Sequence, residues 1–149
     1  YPEFRVNFEV IHTSQYVFQL LSEGKLTLSR EYGKTVTYHD PCYLGRHNGV
    51  YDEPRNVLKT ISGLTLTELP EAKVDSMCCG MGGGRVWAET EKHERFSNIR
   101  IEQAIAVGAE ELVTSCPYCI TALEDSRLVM NHGDDIQVKD ITEIIQELI

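Results

Sequence analysis

The sequence predicts an α/β fold, Rossmann-like, with about four parallel strands flanked by helices. Two observations carry this. Short runs of β-branched and apolar residues ("KTVTYHD", "LTLTELP", "ELVTSC", "DIQVKD") alternate along the chain with longer runs at helical spacing. Each gap between strands is long enough for a crossover helix, and such alternation closes into a parallel sheet with helices on its faces.

The opening "FRVNFEV" has Phe4, Val6, Phe8 and Val10 at period two and reads as a strand. "IHTSQYVFQLLSEG" reads as a helix stopped near Gly24. "KTVTYHD" is the first core strand. "EPRNVLKTISG" places a proline in the first helical turn and ends at Gly63. "LTLTELP" alternates as a second strand. Residues 87–107, with Trp87, Phe96, Ile99, Ile101, Ala104, Ile105 and Val107, are expected to form one long helix closed by Gly108. Trp87 and Phe96 are assigned to the core with the isoleucines. "ELVTSC" is the third strand, leading into a helix from Pro117. "DIQVKD" is the fourth strand. The last helix starts at Asp140 as N-cap with Glu143 three residues on, a capping box. Its stripe of Ile141, Ile144, Ile145 and Leu148 is expected in the core. Glu110, Glu111, Asp134 and Asp135 read as solvated.

At 149 residues the chain is long enough for one self-sufficient core. Residues 1–30 are read as an N-terminal strand and helix packed on a domain spanning 31–149. A formal charge of −9 argues against a nucleic-acid partner. No apolar run approaches the ~18 residues of a membrane span, and no signal-peptide pattern opens the chain. The first residue is not Met, so a segment of a longer protein is expected.

Five cysteines are present: Cys42, Cys78, Cys79, Cys116 and Cys119. An odd number, two of them adjacent, does not make a secreted disulfide framework. A reducing compartment with metal or redox use of the thiols is favoured. Each cysteine follows a strand: Cys42 the first, Cys78 and Cys79 the second, Cys116 and Cys119 the third. In a parallel sheet these points share the carboxyl edge, where open α/β sheets place ligands. "CPYC" is also a redox pair of glutaredoxins, and a metal-free dithiol oxidoreductase is the weaker alternative, since only thirty residues follow Cys119. The pair is better read as two closely spaced ligands, because a helix amino end favours the thiolate a metal requires. Structural zinc takes four ligands and would leave one cysteine spare. An ordinary cubane also takes four, three of them in a tight run that this spacing lacks. Five thiols suggest a cluster with an unusual arrangement of irons, and zinc stays open as the alternative.

The pattern is Cys42, 35 residues, Cys78-Cys79-Gly80, and Cys116-Pro117-Tyr118-Cys119, with 36 residues between Cys79 and Cys116. With "TYHDPCYLGRHNGVYDEPR", "CCGMGGGR", "TSCPYC" and "VKDITEII", it resembles the cysteine-rich CCG domain found in the B and D components of heterodisulfide reductase. The same domain occurs in iron–sulfur subunits of anaerobic glycerol-3-phosphate, glycolate and lactate oxidoreductases. The resemblance covers about residues 30–149. It implies Cys42, Cys78, Cys79, Cys116 and Cys119 as ligands of a non-cubane [4Fe–4S] iron–sulfur cluster, in disulfide reduction or electron transfer. In some members the motif holds zinc, which keeps a structural assembly domain as the alternative. Complete members usually carry two motifs and this chain has one, so it reads as a C-terminal half. The implied partners are another CCG domain, ferredoxin-like or flavin-containing redox subunits, and a small disulfide as candidate substrate. The implied location is cytoplasmic, reaching a membrane only through partner subunits.

Around the cysteines, Gly80, Gly82, Gly83 and Gly84 are expected to let the backbone approach a cluster and aim N–H groups at its sulfurs. No GK[ST] follows, which argues against a nucleotide P-loop. His39 and His47 flank Cys42 as candidates for hydrogen bonding to sulfur or proton transfer. Arg46, Arg55 and Arg85 are candidates for an anionic substrate or for offsetting cluster charge, with ordinary surface pairing as the other reading. Asp40-Pro41 should fix the turn that presents Cys42.

Overall fold

The computed structural model describes Glu3 and residues 7–149. Five helices and four strands follow one another: α1 (Thr13–Ser22), β1 (Thr35–Tyr38), α2 (Asp52–Lys59), β2 (Thr65–Thr67), α3 (Phe96–Ala106), β3 (Glu111–Thr114), α4 (Pro117–Val129), β4 (Gln137–Asp140) and α5 (Ile141–Leu148). The sheet order is β2-β1-β3-β4 and every pair is parallel. The α/β class and the four parallel strands are as the sequence predicts.

Side-chain alternation along the central strands builds two cores, one on each face. Val36, Tyr38 and Val113 point to a layer made with Val57, Leu58 and Ile61 of the α2 region and Ile141, Ile144, Ile145 and Leu148 of α5. Val17, Phe18 and Leu21 of α1 pack onto this layer. Leu112 and Val138 point the other way, to Ile101 and Ala104 of α3 and Ala122 and Leu123 of α4. Successive residues of a strand face opposite sides, so Leu112 and Val113 serve different cores. The capping box predicted at the last helix is present: Asp140 accepts from Thr142 N–H at 2.9 Å, and Glu143 accepts from Asp140 N–H at 2.7 Å.

The order β2-β1-β3-β4 has one consequence for function. From β1 the chain crosses to β2 on one side, then returns past β1 to β3 on the other. The loops leaving the carboxyl ends of β1 and β3 therefore diverge, and the crevice between them is the place where such sheets bind ligands.

Several expectations are corrected. The long helix over 87–107 is shorter: α3 begins at Phe96, and residues 85–87 and 92–94 are separate 3-10 turns. Residues 88–95, "AETEKHER", offer no apolar stripe to pack against the sheet, so nothing tertiary supports a helix there. Trp87 is 89% exposed and Phe96 is 41% exposed, so neither is a core residue. Residues 4–6 of the expected opening strand lie outside the described residues. Residues 7–10 form no strand, and Phe8 and Val10 are exposed. Glu111 is fully buried, not solvated. Tyr32 donates to its carboxylate at 2.6 Å, Lys34 pairs with it, and Lys139 lies 3.4 Å away.

Candidate metal centre

β1 and β3 carry the site because their pairing continues past the formal strand ends. His39 N–H donates to Val113 O at 2.8 Å, and Thr114 Oγ1 donates to His39 O at 3.0 Å. This holds His39 at the sheet edge with its side chain fully buried. Asp40 follows, and Arg55 grips both its oxygens at 2.7 and 2.8 Å. The same guanidinium takes Glu68 at 2.6 and 2.8 Å. Asp40 also accepts Lys73 N–H at 2.8 Å. Arg46 bonds Ser76 O at 2.8 Å. Two ties thus join the Cys42 loop to the segment leading into Cys78. Arg55, a candidate for an anionic substrate on sequence grounds, is buried and fully committed to this work. Close packing defines the loop further, since a Cβ on Gly45 would meet Tyr51 Cε1 at 2.5 Å.

After β3, Cys116 is the N-cap of α4, Pro117 its first residue and Cys119 one turn in. Proline suits that first position because its missing N–H would have had no helical partner. Cys79 and Cys119 are 5% and 2% exposed; Cys42, Cys78 and Cys116 are half-buried, and all five are free thiols. Four of them make a connected row. Cys119 lies beside both Cys116 and Cys79, and Cys78 also lies beside Cys79. Cys42 sits at the far end, lining a small cavity with Cys78, Arg46 and Lys73. The convergence expected from the strand assignments is therefore present.

The charge distribution within the row is uneven. The Cys119 and Cys78 thiols, the His39 ring and Met81 N–H all turn toward Cys79, which holds its thiol far below the ordinary range despite burial. Cys119 and Cys78 are pushed up in return, because each keeps its proton directed at a neighbouring sulfur. The Cys119 thiol, with the Cys119 and Tyr118 amides at the head of α4, holds Cys116 down at about 6. Cys79 is thus the hub of the row, the sulfur toward which its neighbours' donors converge.

In the loop "CCGMGGG" one backbone amide faces a cysteine sulfur. Gly80 N–H lies 3.3 Å from Cys78 Sγ. Gly80, Gly83 and Gly84 have φ of 82°, 63° and 79°, which side chains resist, whereas Gly82 is held to no such angle. Added Cβ atoms at Gly82, Gly83 and Gly84 would meet nothing within 4 Å. Gly83 and Gly84 thus have a conformational reason to be glycine, and the space beside all three is open.

Sequence reasoning missed Arg100. It is fully buried on α3, donates from Nε to His39 Nδ1 at 3.3 Å, and bonds Glu71 O at 3.0 Å and Gln103 Oε1 at 2.8 Å. An arginine among helix apolar residues gives no local signal of its role, since its partner is 61 residues away. Burial, helped by the Arg100 charge, pushes the His39 imidazole below its ordinary value despite the neighbouring Cys79 sulfur. An imidazole nitrogen of His39 and the sulfurs of Cys79 and Cys119 lie within 4.8 Å of one another. His47 stands apart, exposed and tilted against the Tyr43 ring at 4.9 Å.

Two openings reach the thiol row, one at Cys79 within it and one at Cys116 at its end. A cavity of about 190 Å³ is lined by Cys79, Gly80, Arg85, Arg95, Phe96 and Ala122. Arg85 lies over the Phe96 ring there at 5.6 Å. A wider cleft of about 560 Å³ is lined by His12, Pro41, Tyr43, Leu44, Ser115 and Cys116. No helix among the described residues is long and apolar enough to cross a membrane.

Comparison with known proteins agrees with the site. The family model of the CCG cysteine-rich domain matches residues 36–124. An EtfAB:quinone oxidoreductase of Syntrophomonas wolfei is 40% identical over 97% of this chain and 21% of its own length. A probable iron–sulfur-binding oxidoreductase FadF of Bacillus subtilis is 40% identical over 99% of this chain and 21% of its own length. The D component of the dihydromethanophenazine:CoB–CoM heterodisulfide reductase of Methanosarcina barkeri is 38% identical over 94% of this chain and 34% of its own length. The chain spans between a fifth and a third of the length of these relatives. No solved structure matches. On its matched segment and its cysteine arrangement, this chain belongs to the CCG cysteine-rich domain family.

Proposed function

We propose that this chain is the iron–sulfur domain of an oxidoreductase of the heterodisulfide reductase type, acting in disulfide reduction or electron transfer. The observation that carries the reading is the connected thiol row with Cys42 at its end, set at the crevice between β1 and β3. Its environment fits an anionic sulfur-rich group. Two buried nitrogens are available as donors: Arg100 Nη2 has no hydrogen-bond partner among the described residues, and His39 Nε2 has none beyond the neighbouring Cys79 sulfur. Relatives named as an iron–sulfur-binding oxidoreductase and as a component of heterodisulfide reductase support the redox assignment.

Cys42, Cys78, Cys79, Cys116 and Cys119 would hold the group, with a non-cubane [4Fe–4S] cluster the form that uses five cysteines. When bound, such a cluster supplies one-electron chemistry at a potential set by net charge, hydrogen bonds to sulfur and solvent exposure. The residues around it act on those three properties. Gly80 and Met81 amides donate to the Cys78 and Cys79 sulfurs. The buried Arg100 offsets negative charge. The packing of Ile101, Ala122 and Leu123 excludes water behind Cys79 and Cys119. The cleft beside Cys116 and the cavity beside Cys79 give a disulfide or a redox partner access at two points. The partners would be a second CCG domain and ferredoxin-like or flavin-containing subunits, in a reducing, cytoplasmic compartment where free thiols persist.

Single Cys→Ser variants reconstituted anaerobically test the ligand set. Each of the five should lose iron and alter visible absorbance. A variant with unchanged iron and spectrum removes that cysteine from the set, and one dispensable cysteine with bound zinc would replace the redox reading with a four-thiolate structural site.

A further inference from the structure

We propose that Arg100 locks His39 as the Nε2–H tautomer, so that His39 serves the Cys79 sulfur as a hydrogen-bond donor and does not ligate metal. Position alone suggests the opposite, since an imidazole nitrogen lies within 4.8 Å of both the Cys79 and Cys119 sulfurs. Polarity decides it. The Arg100 Nε–H points at His39 Nδ1 from 3.3 Å. A guanidinium only donates and does not give up its proton in proteins. Nδ1 must therefore present its lone pair, and the single proton of the neutral ring sits on Nε2. Metal on Nε2 would force that proton onto Nδ1, donor against donor with Arg100, or demand an imidazolate. Ligating histidines show the reverse pattern, with the distal N–H given to a carboxylate, carbonyl or water.

Neither partner is free to turn away. Arg100 is anchored by Glu71 O and Gln103 Oε1, and Gln103 in turn bonds the Glu71 carboxylate at 2.5 Å. The His39 backbone is held through its N–H and C=O to Val113 and Thr114, and its ring is enclosed in the interior. Both side chains are fully buried, so water cannot supply an alternative acceptor. Nε2 has no other hydrogen-bond partner among the described residues, and of the two nearby sulfurs the ring turns to that of Cys79. His39 and Arg100 are thus positioning residues. They orient a donor onto the sulfur at the hub of the thiol row. Only the identity of what the donor serves rests on the metal reading above.

The test is a two-bond proton–nitrogen correlation spectrum of the ¹⁵N-labelled, reduced, metal-free chain. His39 should show a protonated Nε2 and an unprotonated Nδ1. The same pattern should persist after zinc is added as a diamagnetic probe, and cobalt(II) in its place should show an all-sulfur ligand field. A protonated Nδ1, or a metal-bound His39 nitrogen, overturns the proposal. Zinc titration of two variants separates donor from filler. His39→Leu should weaken zinc binding by about 10–100-fold, the usual effect of losing a group that supports a ligand. His39→Gln, which keeps an N–H near Nε2, should recover most of that loss. Equal weakening in both overturns the donor role. The metal-free spectrum decides the tautomer even for a protein that takes up no iron, so the two readings fail separately.

Discussion

Arg55→Met isolates the tie on which the Cys42 loop depends. In the native chain Asp40 is 4% exposed, and its charge is met by two Arg55 nitrogens at 2.7 and 2.8 Å and by the Lys73 amide. Methionine fills similar volume but leaves Asp40 as a buried carboxylate with only one amide donor. Removing one member of a buried ion pair costs about 3–5 kcal/mol. Glu68 adds little to that figure, because its side chain is 43% exposed and can turn to water. For a chain of this length the loss corresponds to about 10–15 °C in Tm. Urea unfolding of the reduced, metal-free protein, followed by far-UV circular dichroism, measures it. Fluorescence is the poorer probe, since the single tryptophan, Trp87, faces solvent. Adding Asp40→Asn to Arg55→Met should restore part of the stability, because the uncompensated charge disappears while the carbonyl still accepts from Lys73. A loss below about 1 kcal/mol, or strict additivity of the two substitutions, would refute the view that this pair holds the loop through charge.

Three further outcomes follow from the same physical reasoning. Leu123→Ala, fully buried behind Cys119, should cost about 2–5 kcal/mol through lost burial and a cavity, read by the same urea titration. Asp140→Ala should cost about 0.5–2 kcal/mol, because the α5 capping box loses its acceptor. Tyr32 is pushed up to about 12, first by burial and then by the Glu111 carboxylate it donates to. Its folded pKa lies above the ordinary 10, so the native state holds the proton longer, and stability falls as pH rises from about 10 to about 12. Tyr32→Phe should flatten that part of the pH–stability curve, and an unchanged slope would show that Tyr32 does not carry it.

Much of this was legible because local and global signals agree. "KTVTYHD" and "ELVTSC" are compact and β-branched, and they become the buried central strands. The Asp140–Glu143 spacing marks a helix start that needs no tertiary help. Cysteines placed after successive strands had to meet, once the sheet was parallel. What escaped depends on partners distant in sequence. Glu111 looks like any acidic residue before a strand until Tyr32, Lys34 and Lys139 are folded around it. Arg100 looks like a polar interruption of α3 until His39 arrives from β1. Arg55 looked free to bind an anion because Asp40 and Glu68 lie 15 and 13 residues away. The extended helix over 87–95 failed for the opposite reason: helix-compatible residues were present, but they had no apolar face to bury. Trp87, the most hydrophobic-looking landmark there, stays in solvent.

The most direct test of the central claim is metal analysis of the anaerobically reconstituted chain: iron, acid-labile sulfide and zinc per polypeptide, with EPR after oxidation. About four irons and four sulfides per chain, no stoichiometric zinc, and a paramagnetic signal on oxidation are expected. One zinc per chain without iron would contradict the claim, and would make the thiol row a structural site in which one of the five cysteines is spare.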